Sequence, residues 1–104
     1  MNSFSNEIES LDQLREFVYG TLCEDGLFEP GVFPMTEQIL VRGGRPCGIH
    51  FCLHGPRQVR FSAIWETDRN SVLFYGSSGQ RIHKTQLVES SITELVTDEE
   101  LAAA

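Results

Sequence analysis

Residues 47–54 read CGIHFCLH, and apolar side chains alternate there with histidine and cysteine. Because successive side chains of a β-strand point to opposite faces, this alternation predicts a strand with Ile49, Phe51 and Leu53 on one face. The other face would then carry His50, Cys52 and His54. The first face suits a hydrophobic core, and the second carries groups that can bind a metal, move protons or contact a partner.

Four more segments with strand-like composition flank this one, and a short turn separates each from the next. Gly43-Gly44 suits a tight hairpin turn, because glycine adopts positive φ angles readily, and Gly55-Pro56-Arg57 predicts a short loop. The predicted strands are residues 37–42, 47–54, 58–66, 71–76 and 81–88. Strands joined in sequence by short turns predict a five-stranded antiparallel meander.

The apolar pattern also predicts how neighbouring strands pair. Placing Leu53 opposite Val59 leaves a three-residue loop between the second and third strands. Placing Trp65 opposite Val72 continues the apolar face into the fourth strand. One apolar face results, and the other face of the sheet is chemically mixed.

An amphipathic helix is predicted before the sheet, from about Leu11 to Asp25. Ser10 and Gln13 have the spacing of a capping box, in which the serine hydroxyl accepts a hydrogen bond from the third helical amide. Apolar residues then recur at spacings of three and four, which is the period of one helix face. This stripe comprises Leu11, Leu14, Val18 and Leu22, with Phe17 and Thr21 beside it. It can cover the apolar face of the sheet.

The helix should end at Gly26. We expect this glycine to adopt the left-handed conformation, with Leu27 folded back on Leu22. Residues 27–35 then contain two prolines and five large apolar side chains, which are too many for a free linker. We therefore expect this connector to pack against the core.

The predicted fold is α+β: an N-terminal helix packed on a five-stranded antiparallel β-meander, forming one domain over residues 10–88. Residues 1–9 are acidic and are expected to be flexible, and residues 89–104 are expected to be a disordered acidic tail. These termini account for the whole net charge of -7, because the acidic and basic residues of 11–87 cancel.

The composition also indicates the cellular compartment in which the protein resides. No apolar run approaches the ~20 residues that cross a bilayer, and the N-terminus lacks the basic and apolar regions of a signal peptide. Cys47 and Cys52 point to opposite faces of one predicted strand and cannot form a disulfide with each other. Free thiols indicate a reducing compartment, so we expect a cytoplasmic protein that does not bind membranes.

The mixed face of the sheet is the predicted functional surface. It is formed by His50, Cys52, His54, Arg60, Ser62, Ile64, Leu73 and Tyr75. Ile64 and Leu73 need a cover on this face, while a single helix can cover only the other one. We therefore predict a small protein-interaction module without catalytic activity, which binds a protein partner or stacks on a second copy as a homodimer.

Other functions remain open at this point, although the sequence has no phosphate-binding loop, nucleotide fingerprint or HExxH motif. A zinc site could use His50, Cys52 and His54 with His83, but the spacing matches no zinc-finger pattern. No other cofactor is implied. Cys52 could act as a nucleophile, but it lies in mid-strand rather than at a helix N-terminus or a strained turn. Tyr75 and the arginines could bind an anion or single-stranded nucleic acid, against which the acidic termini argue.

Overall fold

A computed structural model describes Ile8 and residues 10–87 of the 104-residue chain. This part contains the helix α1 (Leu11–Gly26) and the strands β1 (Met35–Arg42), β2 (Arg45–His54), β3 (Arg60–Glu66), β4 (Ser71–Tyr75) and β5 (Arg81–Gln86). The strands lie in the order β1-β2-β3-β4-β5, and each is antiparallel to the next. The predicted α+β meander is confirmed, and every strand begins and ends within two residues of its predicted bounds.

The predictions for the termini fall outside the described residues, apart from Ile8, which is buried against the core. Among the described residues, the helix is too short and too polar to cross a membrane.

The core lies between α1 and one face of the sheet, which we call the helix face. The Gln13 amide donates a hydrogen bond of 3.1 Å to the Ser10 hydroxyl, so the predicted helix start is confirmed. The helix buries Leu11, Leu14, Val18, Leu22 and Cys23, and the sheet buries Ile49, Phe51, Leu53, Ala63, Trp65, Val72 and Phe74. Full burial of one large apolar side chain contributes about 1.5–3 kcal/mol, so this layer supplies most of the stability.

Polar side-chain contacts link α1 to both edges of the sheet. Arg15 donates hydrogen bonds of 3.0–3.1 Å from Nε and Nη2 to the carboxylate of Glu37 on β1. On β5, Nε2 of His83 lies 3.0 Å from Oδ2 of Asp25. The hydrogen bond with Glu37 holds the pKa of Arg15 above its usual value, so the guanidinium stays charged at any ordinary pH. Ion pairs that remain partly in contact with solvent contribute little stability, so we infer that these contacts mainly set the direction of the helix across the sheet.

The predicted pairing of β2 with β3 was wrong by two residues, whereas that of β3 with β4 is confirmed. Leu53 lies opposite Phe61 rather than Val59, and Trp65 lies opposite Val72. The reason is that Gly55 stays extended, and its amide donates to the carbonyl of Val59 at 2.8 Å. The loop therefore comprises residues 56–58 instead of 55–57. Because the shift is an even number of residues, every side chain keeps its predicted face.

The predicted end of the helix was also wrong in its details. Gly26 remains helical, and the left-handed residue is Leu27, with φ 59° and ψ 39°. Leu27 is 92% exposed and does not fold back on the helix. Gly26 is required for a different reason, because a side chain there would collide with the ring of Phe28.

The connector between α1 and β1 packs only in part as predicted. Phe28, Phe33 and Met35 lie against the core, whereas Val32 is 57% exposed. The hydroxyl of Tyr19 donates to the carbonyl of Phe33 at 2.9 Å and accepts from the Gly31 amide at 2.7 Å. These two hydrogen bonds fasten the connector to the helix.

Replacing Leu27 with glycine should stabilise the protein. A left-handed conformation costs a non-glycine residue about 1–2 kcal/mol, and glycine gives back roughly half of that gain through its flexible unfolded state. The exposed leucine side chain loses no packing. We expect a melting temperature about 3–6 °C higher in a thermal melt. A lower melting temperature would mean that the Leu27 side chain is covered in the folded protein.

Candidate functional site

The candidate site is the face of the sheet opposite α1, which we call the open face. Its side chains form rows across the strands. The rows are Thr36, Cys52, Ser62, Tyr75 and Arg81; then Gln38, His50, Ile64, Leu73 and Lys84; then Leu40, Gly48, Glu66, Ser71 and Gln86; with the pair His54 and Arg60 beyond the first row. All eight residues predicted for the contact surface lie on this face. Among the described residues, neither a helix nor a second sheet covers it.

The centre of the open face is apolar and small. Ile64 and Leu73 lie directly opposite each other on β3 and β4, and both are half-buried by the side chains around them. Tyr75 and Cys52, in the neighbouring row, are also half-buried. The open face therefore has an apolar centre with a polar surround.

The charges on the open face are mostly positive. Arg60, Arg81 and Lys84 lie towards its periphery, and Glu66 is the acidic residue of the three rows. The periphery of the open face therefore carries a net positive charge.

The structure separates the histidines that were considered as zinc ligands. His50, Cys52 and His54 alternate along β2 on the open face, and an imidazole nitrogen of His54 lies 2.9 Å from the Thr36 hydroxyl. His83 lies on the helix face, where its ring stacks on Phe74 with centroids 4.6 Å apart. In the described part of the chain, no group of three or more His, Cys, Asp or Glu side chains is arranged to hold a metal ion.

A concavity of about 340 Å³ lies at one end of the open face, and sequence reasoning missed it. It is lined by Leu40, Arg42, Cys47, Ile64, Trp65, Glu66, Asp68 and Arg69. Leu40 pairs with Gly48 but Val41 pairs with Pro46, so Cys47 is the extra residue of a β-bulge. A side chain at Gly48 would collide with the carbonyl oxygen of Trp65. The interruption of the apolar alternation by Pro46 and Gly48 was the available signal.

Sequence reasoning also missed how far the open face extends. Thr36 and Gln38 on β1 and Arg81 and Lys84 on β5 continue its two central rows to both edges of the sheet. Their place depends on the pairing of the outer strands, which had not been assigned. The alternation of Thr36, Gln38 and Leu40 with the apolar residues Met35, Ile39 and Val41 was the signal that could have assigned the side chains of β1 to this face.

The three cysteines, Cys23, Cys47 and Cys52, are free thiols. Cys23 is buried in the core and Cys47 lies at the bulge, whereas Cys52 lies in the middle of the open face. Its neighbour His54 bonds to Thr36, and no hydrogen bond joins Cys52 to either histidine of β2 among the described contacts. Comparison of the chain with protein-family models, with curated proteins and with solved structures found no match, so its function is inferred from this geometry.

Proposed function

We propose that this chain is a protein-interaction module that binds through the open face, and that a second copy of the chain is its first partner. The main observation in support of this proposal is that the two faces of the sheet are covered unequally. The helix α1 covers the helix face, whereas no helix or strand among the described residues packs on Ile64 and Leu73 at the centre of the open face. Apolar groups in the middle of an otherwise polar face favour a contact surface.

A second copy can meet this face with the basic side chains of β5 opposite uncharged residues of β1, while Arg60 and Glu66 on β3 lie near their own equivalents. If two sheets stack about a two-fold axis parallel to β3, then β5 of each copy lies over β1 of the other. Lys84 then meets Gln38, and Arg81 meets Thr36, since these residues end the same two rows. The apolar centres of the two copies meet at the axis. Such a dimer buries Tyr75 and Cys52, and tyrosine is among the residues that supply most of the binding energy at interfaces.

Zinc binding and anion binding are two alternative functions for this surface. A structural zinc site needs four ligands, but His83 lies on the helix face and His54 is bonded to Thr36. Three basic side chains on the periphery favour anionic partners, yet they flank an apolar centre rather than a groove. These contacts support a protein partner over a metal ion or a polynucleotide.

Introducing a charge at the centre of the open face should abolish this contact. We expect the native chain to self-associate in sedimentation at micromolar concentration, and Leu73→Glu to weaken association at least about tenfold, because a buried unpaired carboxylate costs more than 1.4 kcal/mol. Ser78→Glu, in the exposed turn between β4 and β5, adds the same charge away from the face and should leave association unchanged.

Alkylation of Cys52 provides a second readout for the same pair of variants. The native dimer should protect this thiol from iodoacetamide, and Leu73→Glu should restore its reaction. A native chain that stays monomeric at high micromolar concentration, with Cys52 equally reactive at all concentrations, would show that a second copy is not the partner.

A further inference from the structure

The two edges of the sheet differ in how well they are protected against pairing with another strand. β5 is six residues long, carries Arg81 and Lys84, and has an irregular register between Phe74 and Tyr75. Short length, bulges and lysine are the usual devices that block an edge. β1 is eight residues long and contains neither lysine nor proline, and the extra residue of its bulge, Cys47, lies on β2 rather than on the edge strand. The β1 edge is therefore the one that is not protected against pairing with another strand.

The hydrogen bonds of the sheet show which backbone groups of β1 point outward. The amide of His54 donates to the carbonyl of Pro34 at 3.0 Å, so this pair belongs to the hydrogen-bonded set. Since hydrogen-bonded and non-bonded pairs alternate in an antiparallel ladder, Thr36, Gln38 and Leu40 bond to β2. The N–H and C=O groups of Met35, Glu37 and Ile39 then point away from the sheet. Among the described residues, no backbone partner meets them.

The one acidic side chain of β1, Glu37, does not protect this edge by charge repulsion. Glu37 could repel an approaching strand, but three hydrogen bonds to Arg15 hold its carboxylate against α1. On β5, by contrast, Lys84 is itself at an outward-pointing backbone position, because the Leu87 amide donates to Asn70 and sets the alternation there. The carboxylate of Glu37 is therefore held away from the β1 edge, whereas Lys84 occupies an outward-pointing position on the β5 edge.

We propose that β1 pairs with β1 of a second copy, antiparallel and with Ile39 opposite Ile39 of that copy. This register joins the outward backbone groups of Ile39 to those of its own equivalent, and it places Glu37 opposite Val41. A register centred on Glu37 would oppose like charges, which is unfavourable. Antiparallel pairing keeps both α1 helices on one side, so the two sheets form one continuous sheet and the two open faces become contiguous. The proposal uses a different surface from the proposed function and is independent of it.

Amide hydrogen exchange tests the pairing directly. The amides of Glu37 and Ile39 should exchange about tenfold more slowly at about 1 mM than at about 20 µM, because self-association occupies them, while the amides of Lys84 and Gln86 should exchange equally fast at both. Equal exchange of Glu37 and Ile39 at both concentrations would overturn the proposal. Edge contacts are small, so we expect weak association.

Proline substitution provides a matched set of variants. Ile39→Pro removes an outward N–H that no β2 group uses, so the sheet keeps all its internal hydrogen bonds while edge pairing is lost. Ile39→Ala removes the same side-chain packing but retains the N–H, and should preserve concentration-dependent protection at Glu37. Lys84→Pro makes the equivalent change at the other edge and should also preserve it. Protection that survives Ile39→Pro would contradict the proposal.

The two association surfaces can be told apart. Leu73→Glu should leave the concentration dependence of the Glu37 amide unchanged, since this side chain lies on the open face and not at the edge. Loss of that dependence in Leu73→Glu, with the variant folded, would assign self-association to the open face and overturn pairing at β1.

Discussion

Replacing Phe74 with alanine should lower the free energy of unfolding by about 3–5 kcal/mol, which is the range for truncating a fully buried aromatic side chain. Phe74 is 0% exposed. Its ring forms a T-shaped pair with Phe17, with centroids 5.9 Å apart, and His83 stacks on its face. Its cross-strand neighbour is Ala63, which is too small to fill the cavity. Since a domain of this size is stable by about 4–12 kcal/mol, the variant should be largely or partly unfolded.

Urea unfolding followed by the fluorescence of the single tryptophan, Trp65, measures this loss. Phe74→Leu, which keeps most of the volume, should cost less than about 1.5 kcal/mol. Tyr75→Ala is the matched control, because the next residue along β4 points to the open face and is only half-buried. If Tyr75→Ala destabilised the monomer as much as Phe74→Ala, then the open face would be covered within one chain and could not be the contact surface.

The fold could be predicted from the sequence because burial and side-chain alternation carry the same information. The alternation of residues 47–54 assigned both faces of β2, and the stripe of α1 found the face that needed covering. An error of two residues in pairing β2 with β3 left these faces intact. The error arose at Gly55, since a glycine before a proline reads as a turn residue. Contact with the Phe28 ring, and not chain reversal, is what requires glycine there.

The candidate site could be predicted only in part, because its limits depend on contacts between distant residues. The composition of the open face followed from alternation in β2, β3 and β4. The bulge at Cys47 and the opposite facing of His83 depend on the pairing of β1 and β5, which short turns and weak apolar patterns do not determine. Likewise, nothing in the sequence links Arg15 to Glu37, because the two are brought together by the packing of α1 on the finished sheet.

Replacing Gly26 with alanine should destabilise the protein by about 1–3 kcal/mol, the usual cost of overpacking. The ordinary expectation has the opposite sign, since alanine in a helix is better than glycine by roughly 0.5–1 kcal/mol. A Cβ atom at Gly26 would lie 2.7–2.8 Å from ring carbons of Phe28. Movement of the ring is restricted on its other sides, because it also lies against Gly55 and meets the ring of Phe61 with centroids 5.6 Å apart. Its backbone is held as well, by the 2.8 Å hydrogen bond from its amide to Cys23.

Gly20→Ala is the matched control, because Gly20 lies in the same helix and a Cβ atom there would meet nothing within 4 Å. This substitution should raise the melting temperature by about 2–8 °C, while Gly26→Ala should lower it by about 4 °C or more. Shortening the ring in the double variant Gly26→Ala with Phe28→Leu should recover part of the loss, giving a coupling of at least about 0.5 kcal/mol. If Gly26→Ala instead stabilised the protein as Gly20→Ala does, then Phe28 would not be packed between Gly26 and Gly55. The end of α1 and the start of the connector would then have to lie differently against β2 and β3.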